Sequence, residues 1–495
     1  MSIVHHHHLS HRNTSLRNTS FLFLSLLPLS PSSSLSQYSA FFTSLASALK
    51  TSPHLFSPRS LSTIAHSLGS LRSRSAASVS IFGVVESCAD RIVEDGDTRA
   101  VANAAWACAA LNVQSPSLFL AIESNADRIV RDGSLQTVAN VAWSCAVLAS
   151  RSPSFFLAIS SNSSRLAQTG TPRVVSTVAW SCAKLHYHAP SLFRSVDSCS
   201  SRLVRNGNPQ DVANTALAFA TVGIHPNRLF AELRERGNLD RFLEGANSQE
   251  VCNLAWSVAV LEGGSGIAAD LLPALWAAAL RNQEGVTADE GLSQLAQVHL
   301  HARASGVALS PPLPTALRRR MVAACRNVKS GGSRFEAVCS RLLDEIGFEH
   351  ERSVSPFGAG GCDDDEGLGE FLAIDMACRR RKIAVECDGR THFLTELTAG
   401  AKENFGGKED GRTAAKRRLL TQLGWRVVNV PFQDGRMLES KEYKWKNRKW
   451  AKNGGGTREL KRRYLAEKLA RFEVRAKAST PKTRMVSFLK GVFKS

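Results

Sequence analysis

Two rows of polar side chains recur through the first half of this sequence. One row is Arg99, Gln136, Arg173, Gln210 and Gln249. The other, four residues later each time, is Asn103, Asn140, Thr177, Asn214 and Asn253. Residues four apart on a helix share a face, so each pair projects together. Arg, Gln and Asn carry paired donors and acceptors that match base edges, and one pair per repeat suits a single-stranded RNA read base by base. The structural alternative is that these side chains, Asn above all, hydrogen-bond the neighbouring repeat. Both readings stand at this point.

The rows imply the helices that must carry them. "VANAAWACAAL" (101–111) returns as "VANVAWSCAVL", "VSTVAWSCAKL", "VANTALAFATV" and "VCNLAWSVAVL", and the period is 37. Gly96, Gly133, Gly170 and Gly207 open successive units, and Trp106, Trp143 and Trp180 hold one slot, taken by Leu217 and then Trp256. "LSTIAHSLGSL" (61–71), with His66 in the slot, reads as an earlier degenerate copy, and "GLSQLAQVHL" (291–300) as a late one. Periods of this size belong to stacked helical pairs. Asp97, Ser134, Thr171, Asn208 and Asn247 stand where an N-cap is needed, and Pro172 and Pro209 follow at the first helical position. The leading helix of the first full unit is predicted over 97–111. A single trailing helix is predicted from about 116, with Phe119, Ile122, Ala126 and Ile129 on its apolar face. The Trp, Ala, Cys and Leu positions of the leading helix are expected in the core.

The chain has 495 residues, too many for one ordinary domain. It carries 62 Lys and Arg against 43 Asp and Glu, a net +19. The last 55 residues hold 18 of the cations and 4 of the acids, a balance that suits a polyanion. Cys108, Cys145 and Cys182 follow the repeated Trp by two residues, where Cys serves as a small hydrophobe; a reduced compartment follows. No Cys or His spacing resembles a closed zinc site, and no P-loop, Ser/His triad or Gly-rich phosphate loop is present.

No Asp or Glu precedes Glu86, and Arg12, Arg17, Arg59, Arg72 and Arg74 are scattered among abundant Ser. That is the composition of an organellar transit peptide, of plastid or mitochondrion. Within it "FLFLSLLPL" (21–29) is too short for a stable bilayer anchor, and no integral membrane segment is expected elsewhere.

"LSPPLP" (309–314) breaks the helical pattern and reads as a linker. Beyond it the expected order is helix 334–348, strands at 371–378 and 382–389, helix 411–424 and a strand at 425–432, a small α/β core. Arg390, His392, Phe393, Arg412 and Arg417 gather around the strand ends as candidates to grip phosphates and stack a base. Trp445 and Trp450 lie among cations in "KEYKWKNRKWAKNGGGTRELKRR" (441–463), a recipe for single-strand binding; a basic helix folding back on the domain is the alternative.

The repeat word resembles the octotricopeptide-type and FAST-kinase-like repeats of organellar RNA-binding proteins. "IAVECDGRTHF", "GRTAAKRRLLTQLGW" and "RVVNVPF" together resemble the RAP domain, itself similar to PD-(D/E)XK nucleases. The resemblance implies a nuclease-like fold, with Asp375 and Glu386 as the carboxylates that would hold Mg²⁺. Asp388 stands where the lysine is expected, and Lys416 on the next helix is the candidate to replace it. A nuclease frame kept for binding is the favoured form of that implication, with no cofactor required; a Mg²⁺-dependent endoribonuclease is the alternative, and a protein-binding scaffold the third reading.

The layout read from the sequence is therefore a disordered presequence (1–55), an α-solenoid of helical hairpins (56–304), a linker (305–333), a RAP-like α/β domain (334–433) and a basic C-terminal extension (434–495). The expected function is an organellar RNA-binding factor in rRNA or mRNA processing, stability or translation. Its partners would be single-stranded organellar RNA and, beside it, ribosomal or RNA-processing proteins.

Overall fold

The computed structural model describes residues 39–235, 237–262, 266–328, 333–357, 367–397, 405–434 and 457–473. Two compact units divide the chain between Asn162 and Ser163. The division falls inside the repeat array, not at the expected linker.

In the first unit the leading helices are Pro58–Ser70, Thr98–Leu111 and Leu135–Val147. Asp97 and Ser134 cap the second and third by accepting the N–H of Ala100 and Thr137. Gly96 and Gly133 are needed for closeness rather than for backbone freedom. A Cβ on either would stand 2.2 or 2.4 Å from the carbonyl oxygen of Ile92 or Ile129. The single trailing helix is corrected to two pieces, Pro116–Ser124 and Ala126–Asp132, broken at Asn125 (φ −109°, ψ 18°). The break lets both pieces bury an apolar face: Leu118, Phe119 and Ile122 in one, Ala126, Ile129 and Val130 in the other. Neighbouring repeats are also stapled by charge. Glu86 accepts the N–H of Ser117, Glu123 accepts that of Ser154, and Arg128 donates to the Val93 carbonyl. These contacts satisfy helix-terminal groups that have no partner in their own helix.

The disordered reading of 1–55 also needs correction. Ser39–Thr51 is a helix, with Phe42, Leu45, Ala46 and Leu49 buried at helical spacing. Ser-rich composition hid an apolar stripe that packs on the Ala76–Ser87 helix.

In the second unit the leading helices are Pro172–Lys184, Pro209–Val222, Ser248–Glu262 and Asp289–Ala304. Thr171, Asn208 and Asn247 cap the first three, and Asn208 forms a full capping box with Asp211. Trailing pieces again come in pairs, Pro190–Ser198 with Ser200–Asn206 and Asn227–Arg234 with Asn238–Gly245, followed by Gly266–Arg281. Asp197 caps the next trailing helix through Arg228 and Leu229, while Arg202 and Arg241 donate to carbonyls of the preceding repeat. The expected linker 305–333 holds a further helix, Thr315–Val328, whose Leu317, Met321 and Ala324 are buried and which packs on Asp289–Ala304. The prolines before it break one helix without ending the array.

The α/β domain follows in the same unit. Strands β2 (Glu351–Val354), β3 (Ile374–Cys378), β4 (Ile383–Asp388) and β7 (Arg426–Pro431) form one sheet in the order β2-β3-β4-β7, antiparallel except for the parallel β4–β7 pair. One face carries the Arg334–Glu345 helix and buries Leu343, Phe348, Met376, Val385 and Val430. The Gly411–Gln422 helix covers the other through Leu420, beside Ile374, Ala384 and Trp425. The basic extension is corrected in part. The Thr457–Glu473 helix joins the first core through Leu460, Tyr464, Leu465 and Leu469, so it is a structural member of the domain.

A second sheet ties the domain to the repeats. β1 (Tyr187–His188), a two-residue strand between the helices of one repeat, runs parallel to β5 (Phe393–Glu396), which pairs with β6 (Phe405–Glu409). His188 bonds Glu396 at 2.9 Å across this seam. Gly411 lies against the end of Pro209–Val222, where any Cβ would stand 1.7 Å from the Ala220 oxygen. Arg418 donates to the Val260 carbonyl.

Candidate nucleic-acid interface

The polar rows lie on the face of each leading helix that the core leaves free. In the first unit Arg99 and Gln136 are exposed, and Asn103 and Asn140 half-buried. In the second Arg173 and Gln210 are exposed, and Thr177 and Asn214 half-buried. Trp106, Trp143 and Trp180 are half-buried as well, which corrects their placement in the core. The residues 99, 103, 106 and 110 fall at i, i+4, i+7 and i+11, one stripe of a helix. The core takes the flanking positions, such as Ala104, Ala105 and Cys108, all fully buried. Because Trp counts as apolar, its slot reads as core in the sequence although it continues the polar face. Adjacent slots touch: His66 stacks on Trp106 at 4.7 Å, and Trp256 Nε1 donates to Gln297 Oε1 at 2.9 Å. Cys108 and Cys145 behave as expected, with burial pushing both thiols up to about 12.

The rows are not uniform. Arg173 Nη1 reaches Gln210 Oε1 in the next repeat at 2.5 Å and lies 3.6 Å from Asp211. Gln136 donates to Asn140 within its own helix. Further along, Gln249 Nε2 donates to Asn253 Oδ1 and Gln294 Oε1, while Gln294 Nε2 donates to Asn253 Oδ1. Asn253 is only 7% exposed. At this end of the array the structural alternative holds, and Asn253 is removed from the list of readers.

The α/β site is built on β4. Val385 and Cys387 point into one core, so Glu386 and Asp388 alternate onto the face of the Gly411–Gln422 helix. That helix brings Lys416, whose ammonium lies 2.6 Å from Glu386 Oε2 and 2.8 Å from the Ala373 carbonyl. Asp375 Oδ2 accepts the Cys387 N–H at 2.7 Å. Asp388 accepts from Asn429 on β7, with His392 at 3.7 Å and Arg417 at 3.6 Å. Burial dominates and pushes the Glu386 carboxyl up to about 8, with Asp375 and Asp388 also raised. Burial alone would lower Lys416, but the attraction of Glu386 and Asp375 outweighs it and holds the ammonium above its ordinary range.

Lys416 takes one side of the position where a nuclease frame would hold Mg²⁺: its ammonium bonds Glu386 Oε2, and Asp375 Oδ2 is bonded to the Cys387 N–H, while Glu386 Oε1 has no hydrogen-bond partner among the described residues. Among the described residues no three His, Cys, Asp or Glu side chains converge on a metal position.

Of the other candidates, Arg390 and Arg412 are exposed and His392 is half-buried, bonded to Thr413. Arg417 is engaged by Glu409. Phe393 is 5% exposed and packs on Phe432 at 5.7 Å, so it belongs to the core and not to a stacking platform. Trp445 and Trp450 lie outside the described residues. Arg412 sits over the Trp256 ring at 5.8 Å, a contact between the two halves of the second unit that no sequence spacing announces.

A cleft of about 600 Å³ separates those halves. Its repeat wall continues the line of that stripe, from Trp180, Lys184, Leu217 and Thr221 to the buried Trp256, Gln294 and His301, with Gln297 beside them. Glu386, Asp388, His392, Arg412, Lys416 and Asn429 form the other wall.

In the second unit helical repeats end in a small α/β domain, and the Trp180–Trp256 side of those repeats faces that domain across the cleft. Residues 385–447 match the family model of the RAP domain. The chain therefore carries a RAP domain, a domain type associated with RNA binding. No curated protein sequence matches the chain. No described helix is long and apolar enough to cross a membrane.

Proposed function

We propose that the protein is an organellar RNA-binding factor acting in rRNA or mRNA processing, stability or translation. The repeats take up single-stranded RNA and the RAP domain positions it. The observation that carries this reading is the stripe of exposed Arg173 and Gln210 and half-buried Thr177 and Asn214, with half-buried Trp180 beside it, in the same unit as the RAP domain. Donors, acceptors and an aromatic face at regular intervals fit unstacked bases, while the Arg side chains and the net +19 supply attraction to phosphates. The acid-free, Ser- and Arg-rich first 85 residues support import into a plastid or mitochondrion. Mature RNA-processing or ribosomal proteins are the partners to look for there.

End-labelled organellar transcripts incubated with the full chain, in Mg²⁺ and in EDTA, at two salt concentrations, test the reading. Intact RNA retained in both buffers, more weakly at high salt, is expected. Discrete Mg²⁺-dependent cuts lost in Asp375→Ala would make the RAP domain an endoribonuclease instead. Absence of retention at either salt would favour a protein-binding scaffold.

A further inference from the structure

The cleft between the repeats and the RAP domain has features that a mere packing gap lacks. Three residues that line it each carry a buried polar atom with no hydrogen-bond partner among the described residues: Glu386 Oε1, His301 Nδ1 and Ser293 Oγ. Buried polar groups are rarely left so, and here they come from both walls. His301 is 3% exposed and Glu386 7%. Both are held in place, His301 by its helix and Glu386 by Lys416. The volume, about 600 Å³, lies within the range of sites that enclose a small organic group. Trp180 supplies an aromatic wall.

We propose that this cleft receives one unstacked nucleoside unit of the bound RNA, its base entering between the Trp180 side of the stripe and the Glu386 side of the RAP domain. The proposal rests on the RNA-binding reading above and names where that RNA is gripped. Continuity favours a nucleotide over a free metabolite. Thr177 of the exposed row and Trp180 of the cleft are three residues apart on one helix, about 5 Å along its axis. A strand lying on the exposed rows therefore has its next base at the cleft mouth. Within, the Gln297 amide and the side chains that carry the unpartnered atoms offer both donors and acceptors to a base edge, while Gln294 stays bonded to Gln249 and Asn253. Arg412, exposed at the rim over Trp256, is placed for the phosphate. Eversion of one base into a shaped pocket, stacked on an aromatic ring and read along its edge, is a general way for proteins to hold an unpaired nucleotide.

The test uses the full chain and a single-stranded RNA carrying 4-thiouridine, irradiated and mapped by mass spectrometry. Cross-links to peptides containing Trp180, Gln297 or His392 are expected. Trp180→Ala and the exposed-site variant Arg412→Glu should each weaken RNA binding at least five-fold and abolish those cross-links, while Arg173→Ala should weaken binding and keep them. Retained RNA with cross-links confined to the exposed rows would overturn the cleft proposal and leave the RNA-binding reading intact. Failure of the wild-type chain to retain any RNA would overturn both. Arg412→Glu, whose side chain is exposed, guards against loss by misfolding of the Trp180 variant.

Discussion

Arg173 and Lys416 are cations of the same unit, and each touches a hydrogen-bond acceptor, yet they stand at opposite ends of one scale. The Arg173 side chain is 57% exposed and leans on the amide of Gln210. Lys416 is 25% exposed, wedged between Glu386 and a backbone carbonyl. Exposure decides what each charge is for. An exposed guanidinium in water contributes little to folding and stays available to a phosphate or base. A buried ammonium is fixed by the carboxylates around it, and removing it strands them. The comparison teaches that residue type and spacing select candidates, while burial assigns the work.

The largest effect should come from breaking the buried end. Lys416→Ala leaves Glu386 and Asp375 without their ammonium and should destabilise the chain by about 3–5 kcal/mol. Urea denaturation followed by circular dichroism measures it. Lys416→Met combined with Glu386→Leu should recover part of that loss, because Asp375 alone is then left without the ammonium. A double variant as unstable as the single one would mean that Lys416 acts through something other than the pair.

His301 gives the next effect and ties it to pH. Burial holds its imidazole down at about 3, with Arg418 adding to the depression. An unfolded histidine titrates near 6.5. The neutral folded ring therefore supports folding fully above pH 6.5, and that support is lost as pH falls, at about 1.4 kcal/mol per unit. Between pH 6.5 and 4.5 the wild type should lose roughly 2 kcal/mol more than His301→Gln does. Equal slopes for the two proteins would show that the ring is solvated in solution.

Much of this was legible from the residues alone. The 37-residue period, the five caps and the order of the RAP elements follow from local rules, Asp97 and Asn208 being held by bonds within four residues. What escaped depends on contacts far apart in sequence. Trp180 looked like core because hydropathy cannot tell a half-covered aromatic from a buried one. For the basic extension the sequence leaves an RNA-binding segment and a helix folded back on the domain both open, because the core residues of Thr457–Glu473, among them Leu460, Tyr464, Leu465 and Leu469, are diluted by charge. The helices Ser39–Thr51 and Thr315–Val328 were hidden by serine in one case and by the preceding prolines in the other. The sequence offers Lys416 as a substitute lysine; its pairing with Glu386 Oε2 depends on how the Gly411–Gln422 helix docks on β4, which no spacing announces.

Two asparagines at the same repeat position differ in burial in the same way. Asn253 accepts from Gln249 and Gln294 and is nearly buried, so Asn253→Ala leaves two amides short of a partner and should destabilise by about 1–3 kcal/mol. RNA affinity should barely move. Asn214 is half-exposed, so Asn214→Ala should change stability by less than about 0.5 kcal/mol and weaken RNA binding instead. Thermal melts and filter retention on the two variants separate the cases, and similar behaviour of both would dissolve the distinction drawn between the ends of the row.

The smallest effect on folding, and the most informative for function, belongs to Arg173→Ala. Loss of an exposed pair should leave the melting curve within about 0.5 kcal/mol of wild type. If the side chain meets a phosphate, binding should weaken across RNA sequences alike, and the slope of log affinity against log salt should fall by about one contact's share, roughly 0.7 for a single strand. If it reads a base edge, the slope should hold and the loss should depend on which base stands at one position of the RNA. A salt titration on two RNAs that differ at single positions distinguishes these, and it decides whether the exposed row is a rail for the backbone or a reader of sequence. The Arg173–Gln210 bond favours the second, because an arginine already spanning two repeats presents a fixed edge rather than a free charge.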